Sequence, residues 1–209
     1  MTMLKRLTAL ALALALSLSL AACGGTADDD NTASGGSTLV YGSGDYTRIN
    51  PAMDEHGEIN VLLFDGLTDH DGNGQVIPRL AERWDYDPDT LTYTFHLARN
   101  VTWHDGQPFT ADDVKFTYEA IMDPDNGSEN APNYEDVTDI TVADDHTVSF
   151  TLSAVNTAFL EYMTMAILPR HLLEGEDMQT SDFFRAPVGT GPYKLESWDA
   201  GQSITLVKN

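Results

Sequence analysis

Residues 80–122 (LAERWDYDPDTLTYTFHLARNVTWHDGQPFTADDVKFTYEAIM) carry the densest local pattern in the chain. Leu91-Thr92-Tyr93-Thr94-Phe95-His96-Leu97 alternates apolar and polar side chains, the period-2 signature of a strand with one buried face. Residues 83–87 before it read as extended, whereas Leu80, Ala81 and Trp84 stand at short helical spacing. Pro88-Asp89-Thr90 predicts a turn, because proline presets φ and aspartate bonds its own backbone, so the stretch is a hairpin. Residues 101–106 end in an Asp-Gly turn signal at Asp105 and Gly106. Thr110 predicts a helix start, its side-chain oxygen able to accept from the unpaired N–H groups of the first turn. Asp112 and Asp113 suit that end through the helix dipole. Val114, Tyr118 and Ile121 follow at i, i+4 and i+7 as an apolar stripe.

This arrangement resembles the family 5 extracytoplasmic solute-binding proteins, the peptide and nickel binders of ABC importers. The resemblance rests on Ala-x-x-Trp at Ala81 and Trp84, the aromatic-rich strand at 93–97, Trp-His-Asp-Gly at 103–106, and the helix opening Thr-Ala-Asp-Asp-Val at 110–114. One place departs: where the family usually carries arginine after the leucine that closes the hairpin, this chain has Ala98, with Arg99 next. A second landmark is Pro187-Val188-Gly189-Thr190-Gly191-Pro192-Tyr193, since Gly-Thr-Gly-Pro-Tyr leading into a strand is typical of these proteins. Its glycines permit backbone geometry that a side chain would block. Without Gly-Lys-Ser/Thr it is not a phosphate loop.

The resemblance implies a mixed α/β fold, periplasmic-binding-protein-like type II, two-lobed with an extra inserted subdomain and incomplete here. Residues 38–54 and 188–209 would form part of the first lobe, and residues 55–187 an inserted mixed α/β subdomain. Because the chain stops at Asn209 inside a predicted sheet, it is expected to be an N-terminal fragment. The implied function is a substrate-binding lipoprotein of an ABC importer that captures oligopeptides or dipeptides and delivers them to the permease. The alternatives are a nickel-chelate or other small-solute binder, or a surface receptor or adaptor outside transport. Expected partners are a peptide or other small solute, ABC permease subunits and the membrane through a lipid anchor, with the protein a monomer. The loop after the first strand would lead toward the ligand cleft, which makes Asp45, Tyr46, Thr47 and Arg48 candidate ligand contacts. The other reading of these four is a solvated connecting loop with Tyr46 packed on the fold.

The N-terminus carries a targeting segment over residues 1–22. Lys5 and Arg6 form its positive region, and residues 7–20 an apolar run of Leu, Ala and Ser. It ends Leu20-Ala21-Ala22-Cys23, which resembles a bacterial lipobox, where small residues precede the cut and the thiol takes a diacylglycerol group. Cys23 is thus the predicted lipid attachment, against the alternative of an ordinary secretory signal. Acyl chains contribute roughly 0.8 kcal/mol per buried methylene, so several hold a protein stably at a bilayer. Residues 23–37 lack large apolar side chains after Cys23 and read as a flexible tether. The expected place is the cell membrane, lipid-anchored and extracytoplasmic, in a periplasm or on the outer face.

Charge excludes other classes. The net charge is −22, and losing Lys5 and Arg6 with the leader makes it two units more negative. Phosphate backbones would repel such a chain, so no nucleic-acid partner is expected. The acidity reads as solubility, or as a cation-collecting surface. With Cys23 the one cysteine, neither an intrachain disulfide nor a thiolate zinc cluster is possible. The six histidines stand at no i+2, i+3 or i+4 spacing from one another, and no Gly-x-Ser-x-Gly elbow is present. An enzyme is therefore not expected, nor a metal or other cofactor. Asp69-x-Asp71-x-Asn73-Gly74 matches half of a calcium loop, but Leu80 occupies the place of its bidentate glutamate; the prediction is a tight turn in a hairpin over 67–77. The His104-Asp105 pair reads as a turn in which Asp105 bonds backbone N–H groups while Trp103 packs.

The remaining segments are predicted as a strand at 38–42, a helix from Asp54 or Glu55 through Phe64 with Ile59, Leu62 and Leu63 on its apolar side, and a hairpin over 135–153. Helices are predicted at 156–165 and from Pro169 to about Gly175, and strands at 193–198 and 203–207.

Overall fold

The computed structural model describes residues 38–44, 46–53 and 57–209. The leader, Cys23 and the tether lie outside the described residues. The chain divides into two compact units at Gly42 and Ser43. In the first, residues 38–42 are not part of a strand, and Leu39 and Val40 are each 89% exposed. The predicted strand there is not realised, since a pentapeptide gains ladder bonds only beside a neighbouring strand.

The second unit is built on a four-stranded antiparallel sheet in the order β3-β4-β6-β5. Its strands are β3 (Ala81–Asp87), β4 (Thr92–Leu97), β5 (Val137–Asp144) and β6 (Thr147–Leu152), preceded in the chain by the hairpin of β1 (Thr68–His70) and β2 (Val76–Pro78). The predicted 80s hairpin forms, with Asp87 opposite Thr92, but Leu80 and Ala81 are not helical. Leu80 donates to the Gly66 carbonyl and Ala81 to that of Leu67, at 3.1 and 3.0 Å, which draws Ala81 into the strand.

Alternation sends Phe95, Leu97, Val148, Phe150 and Leu152 to one face, all buried. On the other face Thr94 and Ser149 share a 2.9 Å hydroxyl contact, and Thr92 and Thr151 one of 3.2 Å. The edge strands β3 and β5 expose Glu82, Asp85, Asp87, Asp139 and Asp144, charges that discourage edge-to-edge pairing.

The helix α2 (Ala111–Met122), preceded in the chain by the single-turn α1 (Asn60–Leu63), lays Val114, Tyr118 and Ile121, all 0% exposed, on the apolar face. Tyr118 meets Phe150 edge-on at 5.0 Å, and Phe150 meets Phe95 in the same way at 5.7 Å. The helix starts at Thr110 as expected, in a reciprocal capping box between Thr110 and Asp113. One Asp113 carboxylate oxygen takes the Thr110 N–H at 2.9 Å, and the other the Arg170 N–H at 2.9 Å. Burial raises the Asp113 carboxyl against these two N–H bonds. The Trp103 indole N–H lies close enough to favour the ionised form, yet it makes no hydrogen bond of ordinary geometry.

Three predicted helices are shorter. Asp54 and Glu55, the predicted start of the first, lie outside the described residues; among those described it is only α1, preceded by a turn at 58–59, and Leu62 is 39% exposed rather than packed. In place of a helix over 156–165 stands α3 (Phe159–Tyr162), and the next is α4 (Arg170–Leu173), starting after Pro169. For α3 the cause is tertiary. Met163 gives its carbonyl to Thr68 N–H at 3.1 Å, and Ile167 N–H goes to Asp65 O at 3.0 Å. Those groups would otherwise continue a helical ladder. The chains cross so closely that a Cβ on Gly66 would stand 2.5 Å from the Thr164 oxygen. The last hairpin, β7 (Tyr193–Asp199) with β8 (Ser203–Lys208), turns at Gly201 with φ +75°.

Candidate functional site

Residues 46–53 form a loop framed by two distant segments. Ile49 N–H donates to Phe184 O at 2.9 Å, and Asn50 Nδ2 to Met178 O at 2.7 Å. From the other side, Ser128 Oγ donates to Ala52 O at 2.6 Å, and Glu129 N–H to Met53 O at 3.2 Å. Ile49, Asn50, Ala52 and Met53 are buried, so this part of the loop is an anchor.

The candidate contacts stand just before it. Asp45 lies outside the described residues. The Tyr46 hydroxyl pairs with Ser43 Oγ at 3.0 Å, and its ring is half-buried. Thr47 is exposed, and its carbonyl accepts from the Arg185 guanidinium. Arg48 Nη1 donates to Gln179 O at 3.0 Å and to Gln179 Oε1 at 2.8 Å. The structure thus brings Tyr46, Thr47 and Arg48 together beside Gln179 and Arg185. Arg185 also lies 5.0 Å from the centre of the Trp198 ring, within cation–π reach. Neither Gln179 nor Arg185 is marked by sequence pattern, because their partners stand 131 and 138 residues away. At this corner both guanidinium groups are engaged within the chain, Arg48 by Gln179 and Arg185 by Thr47. Among the described residues, no group of three or more His, Cys, Asp or Glu side chains is placed to hold a metal ion.

Both motif loops meet at a second locus. Residues 103–107 close a tight turn: Gly106 N–H donates to Trp103 O at 2.8 Å, and Gln107 N–H to Asp105 Oδ1 at 3.0 Å, with Trp103 buried. This is the predicted turn. In addition Asp105 Oδ2 holds His171 Nε2 at 2.8 Å. Burial would raise the Asp105 carboxyl, but His171 and the Gln107 N–H together outweigh it and hold it low.

His104 turns away from Asp105 to the Gly-Thr-Gly strap. Its Nδ1 takes the Gly189 N–H at 3.1 Å, its Nε2 stands 3.0 Å from Gly191 O, and its own N–H donates to Gly189 O at 2.9 Å. From below, Leu63 O accepts the Gly191 N–H at 2.9 Å, and Asp65 takes the Thr190 hydroxyl at 3.1 Å while paired with Arg79 at 2.7 Å. The glycines are required by contact. A Cβ at 189 would lie 1.8 Å from Leu63 O, and one at 191 would lie 2.6 Å from Leu62 O. Burial holds the His104 imidazole below its ordinary value and Lys194 pushes the same way, against the Gly191 carbonyl, Asp65 and Asp105.

Residues 75–209 match the family model for bacterial extracellular solute-binding proteins, family 5, middle region. Protein XP55 of Streptomyces lividans is 30% identical over 186 residues, covering 88% of this chain and 34% of that relative. Among solved structures, NikZ of Campylobacter jejuni in complex with Ni(L-His) aligns with a TM-score of 0.76 and 41% identity, over 79% of this chain and 34% of that one. AppA of Bacillus subtilis in complex with a nonapeptide aligns with a TM-score of 0.75 and 31% identity, over 79% of this chain and 35% of that one. The chain spans about a third of the length of the curated relatives it matches.

Proposed function

The chain belongs to the bacterial extracellular solute-binding proteins of family 5, and from that premise we propose that it belongs to the peptide-capturing component of an ABC importer. The observation that carries this reading is the likeness of its fold to a family member with a nonapeptide bound. Capture needs no covalent chemistry. A solute that binds the closed form better than the open form shifts the population toward closure. Residues 38–54 with 188–209 serve as part of one lobe, and residues 55–187 as the inserted subdomain. Asp45, Tyr46, Thr47 and Arg48 face the solute. Main-chain and hydroxyl hydrogen bonds suit a ligand whose backbone is constant and whose side chains vary. Cys23 carries the lipid anchor, and the monomeric protein presents its solute to permease subunits outside the cytoplasm.

A second reading, a nickel–histidine chelate as solute, is favoured by the higher identity to the nickel-bound neighbour. One experiment separates the two. The mature protein, extracted from its own membranes and unloaded, is titrated calorimetrically with defined tri- to nonapeptides and with Ni(L-His)2. Tighter binding of peptides is expected. Tighter binding of the chelate replaces the first reading by the second, and binding of neither overturns both. For the anchor, Cys23→Ser is expected to move the protein from the membrane to the soluble fraction. Its retention at the membrane would rule lipidation at Cys23 out.

A further inference from the structure

His104 sits between two backbone groups of opposite kind. Gly189 offers an N–H to Nδ1, and Gly191 offers a carbonyl to Nε2. An amide N–H can only donate and a carbonyl can only accept, so the ring is the neutral tautomer with its proton on Nε2. A second proton, on Nδ1, would point one N–H at another. The strap has little room to yield toward α1, because a Cβ on Gly189 would meet Leu63 O at 1.8 Å. Relief comes when the Gly189 N–H moves off the ring.

We propose that His104 is a proton-operated latch: neutral, it pins the strap at residues 187–193; protonated on Nδ1, it ejects Gly189 and frees the β7–β8 hairpin that the strap leads into. The groups facing it come from three elements. Asp65, on the segment after α1, holds the strap's own Thr190 and attracts a proton to the ring. Asp105, in the same loop as His104, also attracts, but is shared with His171 of α4. Lys194, in β7, opposes. Burial and Lys194 prevail over the carboxylates, so the ring stays neutral where an exposed histidine begins to charge.

A base held below its ordinary value in the pinned state contributes its full stabilisation above about pH 6.5, the ordinary histidine value. It loses that contribution as pH falls through this value toward the lower one of the pinned ring. One proton sets the limit, so the open population of the strap rises at most about tenfold per pH unit.

The test is amide hydrogen exchange on the full chain between pH 7.5 and 5, corrected for the intrinsic pH dependence of exchange, with ring nitrogen shifts of His104 read by NMR. Protection at Gly189 and Gly191 is expected to fall on acidification below pH 6.5, while α2 keeps its own. At pH 7.5 the shifts should show Nε2 protonated and Nδ1 bare. His104→Gln supplies one acceptor and one donor without titrating, and is expected to keep strap protection at pH 5. Unchanged protection in the wild-type chain would overturn the latch, as would the same acid-induced loss in H104Q. If H104Q does not fold, the wild-type shifts decide. A Gly189 amide signal that moves with the His104 titration supports the latch. One that ignores it, or a proton found on Nδ1 at pH 7.5, overturns it.

Discussion

Tyr118 and Tyr134 meet edge to face at 5.1 Å in the core, yet their hydroxyls fare differently. That of Tyr134 donates to Tyr162 O at 2.7 Å. That of Tyr118 is buried with no partner among the described residues. Burial raises both phenols, so neither ionises at any ordinary pH. A satisfied hydrogen bond contributes about 1 kcal/mol net, whereas an unsatisfied buried hydroxyl costs about 1–3 kcal/mol. Tyr118→Phe is therefore expected to raise unfolding stability by about 1 kcal/mol and Tyr134→Phe to lower it by about the same. Urea titration of the two variants checks this, and shifts of the same sign would contradict it. The i, i+4, i+7 stripe marks Tyr118 as core from sequence alone. Which ring finds an acceptor depends on a backbone carbonyl brought in by α3, and no local pattern carries that.

At the scale of elements, the joints are backbone groups capped from elsewhere in the chain. Thr117, in mid-helix, donates to Asp113 O at 2.8 Å and accepts the Leu168 N–H at 2.9 Å. Thr117→Val keeps the shape but strands the Leu168 N–H, and is expected to cost about 1–3 kcal/mol, read as a lower urea midpoint with unchanged slope. Gly189→Ala forces α1 and the strap apart and is expected to cost about 3 kcal/mol or more, in the range of severe overpacking. Gly201→Ala, at φ +75° with open space around it, is expected to cost only about 1 kcal/mol. Thermal melts of the two rank them, and equal losses would mean that the strap yields. The hairpins and α2 are legible because their signals are local: alternation, turn residues, a stripe. The helix predicted at 156–165 comes out short because Met163 and Ile167 bond residues 68 and 65 instead of extending their own turns.

The whole molecule carries 33 acidic side chains against 11 lysines and arginines, and self-repulsion on that scale destabilises a compact chain. Raising NaCl from 10 to 200 mM screens it and is expected to lift Tm by roughly 2–4 °C, equivalent to about 1 kcal/mol for a chain of this size. A rise produced by micromolar divalent cations, with none from NaCl, would favour the cation-collecting reading of the acidity. At this scale the sequence by itself determined the mixed α/β class and the family, because hairpin, Trp-His-Asp-Gly turn, capped helix and Gly-Thr-Gly-Pro-Tyr are short-range patterns written in consecutive residues. Only the tertiary structure decided that the two motifs touch, through His104 on Gly189 and Gly191, and that Arg48 and Thr47 are held by Gln179 and Arg185. The physical reason is separation along the chain. These partners stand 85 to 138 residues apart, and a hydrogen bond at that separation exists only once packing has closed the loop between them.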